Sequence, residues 1–227
     1  MRLSACFALA TVIGCFLPGS APAQSTDDDL RIYAVNVLKT PPFERQITGY
    51  GIYLGQGIVI TAAHVVGHWP LFTHPRVLIA GQDLPARVIK NGSFETTDLA
   101  LLSVEETALP MKLRLRRNPL CNESPTIGSE VINVIPEGTT RARVISPLSI
   151  PAQLRKRFDT LIDSPKDSGS GLFDAERKCF QGIMSGKVQK YHHQLENVRI
   201  RGYMDGYAGY FVSAAKIAKF IPSDLHL

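Results

Sequence analysis

The sequence predicts an all-β sandwich or barrel that ends in a single helix. Short runs rich in Val, Ile, Leu and Tyr recur along the chain, separated by Gly, Pro, Asn and Asp turn residues. The alternation of strand and helix that a parallel α/β sheet requires is absent. The one segment with helical spacing of apolar residues and high helix propensity is terminal: Ala214-Ala-Lys-Ile-Ala-Lys-Phe-Ile221, with Ser213 placed to cap it and Pro222 to stop it.

The chain has 227 residues, enough for one large domain or two small ones with a shared core. Its 44% hydrophobic and 20% charged content exclude a disordered chain. Residues 1–23 read as a secretory signal. Arg2 gives a positive start, Leu3 to Leu17 is apolar, Pro18-Gly19 breaks the run, and Ala21-Pro22-Ala23 is an A-x-A-like cleavage site. The run is too short for a spanning helix. Val12-Ile-Gly-Cys15 also resembles a lipobox, which would place a lipid anchor at Cys15. Residues 24–29 read as a flexible polar arm, and Leu30 to Val37 as the first strand. Further strands are expected at Thr48–Leu54 and Gly57–Thr61, joined at Gly55-Gln56-Gly57. Others are expected at Arg76–Ala80, Ala86–Lys90, Leu99–Val104, Val131–Ile135, Ala142–Ile145, Phe180–Met184 and Tyr210–Val212. A Pro-containing basic segment, Leu109–Asn118, divides the body into 30–118 and 119–227.

The formal charge is +5, with basic clusters at Lys112–Arg117 and Arg155–Arg157. Without aromatic interleaving or a nucleic-acid motif these read as solvated loops, so no nucleic-acid partner is expected. Cys6 and Cys15 fall in the signal, leaving Cys121 and Cys179. Two cysteines in an exported chain most simply pair, the alternative being two buried free thiols. No Cys or His spacing indicates zinc; His192-His193 lacks further ligand spacing. Asn91-Gly-Ser and Asn122-Glu-Ser match the short glycosylation pattern.

Three stretches carry chemistry: Thr61-Ala-Ala-His64, Asp98-Leu-Ala-Leu-Leu102 and Asp167-Ser-Gly-Ser-Gly171. A serine hydroxyl is a poor nucleophile until an imidazole removes its proton, and a buried carboxylate can fix that imidazole's tautomer. Taken singly, each is an ordinary loop histidine, strand-end aspartate or turn serine. Their order, His then Asp then Ser, differs from the Ser-first order of α/β-hydrolases. His68 and His74 compete with His64 but lack its preceding apolar strand and Ala pair. Ser164 and Ser170 compete with Ser168, which alone follows an aspartate and precedes Gly-Ser-Gly.

Gly49 to Val66, Asp98 to Leu102 and Asp167 to Gly171 together resemble the histidine, aspartate and nucleophile regions of chymotrypsin-like (trypsin-fold) serine peptidases of the secreted bacterial type. The resemblance spans nearly the whole mature chain. It implies two packed six-stranded antiparallel β-barrels with a C-terminal α-helix, the active site between them, and no metal or cofactor. It assigns His64 as general base and acid, Asp98 as its orienting partner and Ser168 as nucleophile. Cys121 and Cys179 fall near positions bridged in many members, and Asp174 to Lys178 looks like an extended hairpin turn. Gly182-Ile-Met-Ser-Gly186 resembles the substrate-binding strand, which places Ser185 and Gly186 against a peptide.

Two features depart from the pattern. The backbone N–H groups of Lys166 and Ser168 would form the oxyanion hole, but the family carries glycine where Lys166 stands. Lysine adopts positive φ only at a cost, so a strained or flipped Lys166 peptide is expected. Ungapped counting puts Ile162 at the pocket floor; a one-residue deletion would put Asp163 there. The first implies apolar substrate side chains, the second Arg or Lys. Arg31-Ile32 could imitate an activation site whose new amino terminus pairs with Asp167, but it lacks the usual following glycines. The implied function is an exported, secreted or periplasmic, serine endopeptidase acting on protein or peptide. The alternatives are a protease-like binding protein with little activity, because of Lys166, and a secreted esterase.

Overall fold

Residues 26–39, 46–67, 74–196 and 199–225 are described in the computed structural model, and residues 1–25, with the stretch read as a signal and Cys15, lie outside them, as does His68. The first ordered element corrects the sequence reading. Asp27–Tyr33 is a 3-10 helix, and strand β1 begins only at Ala34 (Ala34–Lys39). Asp27 to Asp29 are therefore docked, not a flexible arm. The Asp27 carboxylate accepts from Arg141 at 2.8 Å and Lys178 at 2.6 Å, and Arg31 donates to the Pro136 carbonyl at 2.7 Å. The Arg141 hydrogen bond holds Asp27 below the usual carboxylate range against a smaller desolvation effect. Leu30 is buried beneath, and Tyr33 stacks on Phe173 at 6.2 Å. The apolar residues read as a strand are thus the inward side of a helical strap.

Seven strands form the first sheet: β1, β2 (Gln46–Gly55), β3 (Ile58–Thr61), β4 (Arg76–Ile79), β5 (Gln82–Pro85), β6 (Arg87–Asn91) and β7 (Ala100–Ser103). A one-turn helix, α1 (Ala63–Val66), follows β3. The β2–β3 hairpin turns where expected, because Gly55, Gln56 and Gly57 all take positive φ. The order is β5-β4-β1-β2-β3-β7-β6, antiparallel throughout. Its outer strands β5 and β6 are consecutive in the chain, joined at Ala86, whose N–H bonds the Pro75 carbonyl. This corrects the expectation of two six-stranded barrels. The first unit is a curled half-barrel whose ends are linked by the chain and not by a hydrogen-bond ladder.

A basic connector containing α2 (Met111–Arg114) leads to the second unit. Strands β8 (Glu130–Ile135), β9 (Gly138–Ile145), β10 (Leu161–Ile162), β11 (Gly171–Asp174), β12 (Phe180–Glu196) and β13 (Arg199–Ser213) close a barrel of order β10-β13-β12-β11-β8-β9. Closure leaves no unpaired edge. One apolar core runs through both units, from Val35, Ile52, Ile60 and Leu101 to Ile132, Phe173, Ile183 and Val212. Helix α3 (Ala214–Phe220) buries Ala214, Ile217 and Phe220, and Lys90 of the first sheet caps its last carbonyl at 2.8 Å. Strands β12 and β13 run far beyond the segments read from sequence and pair as far as Glu196 with Arg199.

Cys121 and Cys179 form a disulfide with a sequence separation of 58, tying the entry to the barrel to the start of β12. A loop that long constrains the unfolded chain substantially. Replacing both cysteines with serine is expected to lower stability by about 3 kcal/mol. Denaturant unfolding of oxidised wild type and the double variant measures this; a loss under about 0.5 kcal/mol contradicts it.

Candidate active site

His64 sits on α1, directly after β3. The small buried pair Ala62 and Ala63 lets this turn lie against the core while the imidazole stays 35% exposed. Asp98 precedes β7 and is 4% exposed. Its Oδ2 accepts from His64 Nδ1 at 2.7 Å, and its Oδ1 from the His64 backbone N–H at 3.0 Å. The Ser185 hydroxyl donates to the same Oδ2 at 2.5 Å. Burial alone would raise the Asp98 pKa, but the hydrogen bonds from His64 and Ser185 outweigh it and hold the carboxyl below its ordinary value. The pair therefore presents a fixed carboxylate to Nδ1, and among the described residues Nε2 has no hydrogen-bond partner. Phe94 meets the imidazole edge-on at 5.7 Å between centroids.

Ser168 lies in the turn between β10 and β11. Gly169 N–H bonds the Met184 carbonyl at 2.8 Å, and Ser168 accepts at its own carbonyl from Tyr50 N–H at 3.1 Å. Gly169 has φ +84°, and a Cβ there would lie 1.9 Å from the Tyr50 carbonyl oxygen. That close approach explains the glycine after the serine: the turn is clamped onto β2. The Ser168 hydroxyl donates to the Ser185 carbonyl at 3.3 Å, and none of the described hydrogen bonds joins it to His64. Of the competing serines, Ser170 is wholly buried with its hydroxyl unpartnered, and Ser164 is exposed on the loop. His74 lines a separate cavity with Pro85 and Arg87.

Ser185 links the parts. It is the extra residue of a bulge in β12, where the pairing with β13 steps from Met184–Phe211 to Gly186–Tyr210. The bulge lets its side chain reach Asp98 while its carbonyl faces Ser168. Next to it, a Cβ on Gly186 would meet nothing within 4 Å, so the strand surface there is open.

Lys166 is not among the residues with positive φ, so the strained conformation expected of it does not occur. Among the described residues the backbone N–H groups of Lys166, Asp167 and Ser168 donate to no protein acceptor. Ile162 is fully buried and packs with Met184 and Phe211; together with Pro165 and Met184 it closes tightly around Gly209. Asp163 is exposed and its Oδ1 accepts from the Arg143 backbone N–H at 2.9 Å. Asp167 is also exposed, 3.4 Å from Lys187 Nζ, while Ile32 packs against the core in the docked strap.

No protein-family model matches the chain, and no curated protein matches it. Solved structures do. The Rv3671c protease of M. tuberculosis in its active form superposes with a TM-score of 0.54 at 17% identity, over 85% of this chain and 81% of that one. Kallikrein-related peptidase 10 gives 0.55 at 17% identity, covering 86% and 95%. The fold is chymotrypsin-like. The protease domain of MamO from Magnetospirillum magneticum, at 0.54 and 19% identity over 86% and 98%, has it too.

In this chymotrypsin-like frame, sequence reasoning named Ser185 only as a peptide contact and missed that its hydroxyl binds Asp98. It also missed Phe94, Tyr50 and Met184. Only Tyr50 left a signal, sitting between Gly49 and Gly51 in an otherwise bulky strand. A Cβ on Gly49 would fall 2.9 Å from the Ser168 carbonyl oxygen.

Proposed function

We propose that the chain is an exported serine endopeptidase. The reading rests on one observation above all: the 2.7 Å His64–Asp98 pair and the clamped Ser168 turn are joined through a single bulge residue, Ser185. Rotation of the Ser168 hydroxyl away from the Ser185 carbonyl would deliver its proton to His64 Nε2 as the oxygen attacks a peptide carbonyl. Asp98 holds the Nδ1–H tautomer and stabilises the imidazolium. The imidazolium then protonates the departing amine, and water, activated by the same ring, hydrolyses the Ser168 ester. The unpartnered N–H groups of Lys166 and Ser168 are the donors for the oxyanion. Burial of Ile162, with Asp163 held by Arg143, favours apolar over Arg or Lys substrate side chains. Secretion follows from the signal in residues 1–23. Hydrolysis of Leu-type and Arg-type peptides tests the reading: Leu-type cleavage that disappears in Ser168→Ala supports it, and no cleavage of any peptide by folded protein opposes it.

A second reading, a protease-like binding protein, is favoured by the Ser168 hydroxyl resting on Ser185 and by a Lys166 that lacks the positive φ of the family's glycine. A glycine there removes the conformational barrier to turning the 165–166 peptide. On this second reading Lys166→Gly raises kcat on the order of 100-fold with little change in KM, whereas on the first it leaves kcat unchanged. Steady-state kinetics measures this; an unchanged kcat means that the lysine already places its donor.

A further inference from the structure

A cavity of about 430 Å³ opens beside the site. Its wall includes Phe94, Asp98 and Ser185, so it adjoins the residues that position His64. Its opposite side comes from the 153–158 loop and from Tyr210 and Lys216. The charge there is one-sided. Lys156, Arg157 and Lys216 line it against Glu95, since Asp98 is already committed to His64 and Ser185. Lys216 is bonded to Asp159 at 2.9 Å, which leaves Lys156 and Arg157 as the available cations.

Arg157 is prearranged. Its guanidinium lies 4.5 Å over the Phe94 ring and 5.3 Å from that of Phe158, and one Nη2–H holds the Phe94 carbonyl at 2.9 Å. The two ring contacts and that one bond restrain the group. Among the described residues its Nε and Nη1 donate to nothing. A guanidinium restrained in this way with free donors suits a carboxylate, and less side-chain entropy remains to be lost on binding. The rings of Phe158 and Tyr210, packed edge to face with centroids 4.8 Å apart, supply the apolar wall that the methylenes of an acidic side chain need.

We infer that this cavity selects an Asp or Glu side chain of the bound peptide, within a few residues of the bond at Ser168. The inference rests on the peptidase reading for the course of the peptide, not for the chemistry of the cavity. The test uses the mature chain carrying Ser168→Ala, immobilised and exposed to a random octapeptide library whose retained members are sequenced. Asp and Glu should be enriched about fivefold at one position. Adding Arg157→Glu should replace that preference with one for Lys or Arg, which an unfolded variant cannot do. Lys156→Glu should weaken it. Absence of acidic enrichment, or enrichment unchanged by Arg157→Glu, overturns the inference. Enrichment that behaves as expected while wild type hydrolyses no peptide overturns the peptidase reading and leaves the cavity assignment standing.

Discussion

Asp98→Asn is expected, on the proposed peptidase reading, to lower kcat for peptide hydrolysis by about 10,000-fold while KM changes little. The Asp98 carboxylate takes three hydrogen bonds, from His64 Nδ1, the His64 backbone and the Ser185 hydroxyl, in a site that is 4% exposed. A carboxylate accepts at both oxygens; an amide presents NH2 at one of them. Either the backbone N–H or Nδ1–H then faces a donor. Flipping the imidazole tautomer relieves the clash at Nδ1, but it puts the proton on Nε2, where Ser168 needs an acceptor. The substitution should also flatten the acid limb of the stability profile. Asp98 has a pKa below its ordinary value, so its contribution is complete above roughly pH 4 and is lost as pH falls through the lowered value. A loss in kcat under tenfold contradicts the role given to Asp98.

Gly169→Ala is expected to cost about 3 kcal/mol of stability, a fall in Tm of roughly 6–12 °C. Two effects add. The residue sits at φ +84°, and the new methyl would lie 1.9 Å from the Tyr50 carbonyl oxygen and 2.8 Å from Thr61 Oγ1. The Tyr50 carbonyl cannot easily withdraw, because Thr61 holds it at 2.5 Å across the β2–β3 hairpin. If the loop lifts away instead, the Tyr50–Ser168 bond is lost and hydrolysis falls with stability. Thermal unfolding combined with kinetics separates the two, and a variant within about 0.5 kcal/mol of wild type with full activity shows that the clamp is not tight.

The residues brought together here were legible in the sequence for a physical reason. Each lies where an apolar strand meets a polar turn, and both the strand and the turn residue leave a local signature: Ala62-Ala63 before His64, Gly169 after Ser168. Ser185 was legible only in part. A bulge depends on how β12 registers against β13, which no local pattern encodes. At Lys166 the glycine of the resembled family implied either a strained positive φ or a flipped peptide, and this backbone does not adopt the first. The strap at 27–33 was misread because apolar Leu30 and Tyr33 fit a strand as well as one side of a 3-10 helix; the ion pairs from Asp27 to Arg141 and Lys178 span more than 100 residues and decide it. The long β12–β13 ribbon was missed because its outer half, from Lys187 to Glu196, loses apolar alternation and is held as strand by its partner. Ile162 and Asp163 could not be separated by counting, which does not reveal that the first packs in the core and the second accepts from the Arg143 backbone.

On the proposed reading Ser168 is a nucleophile activated by its surroundings. A fluorophosphonate probe followed by intact mass and peptide mapping addresses it most directly. One adduct per chain is expected, on Ser168, absent from Ser168→Ala and retained in Ser170→Ala. Folded wild-type protein that forms no adduct, or forms one on another residue, contradicts it.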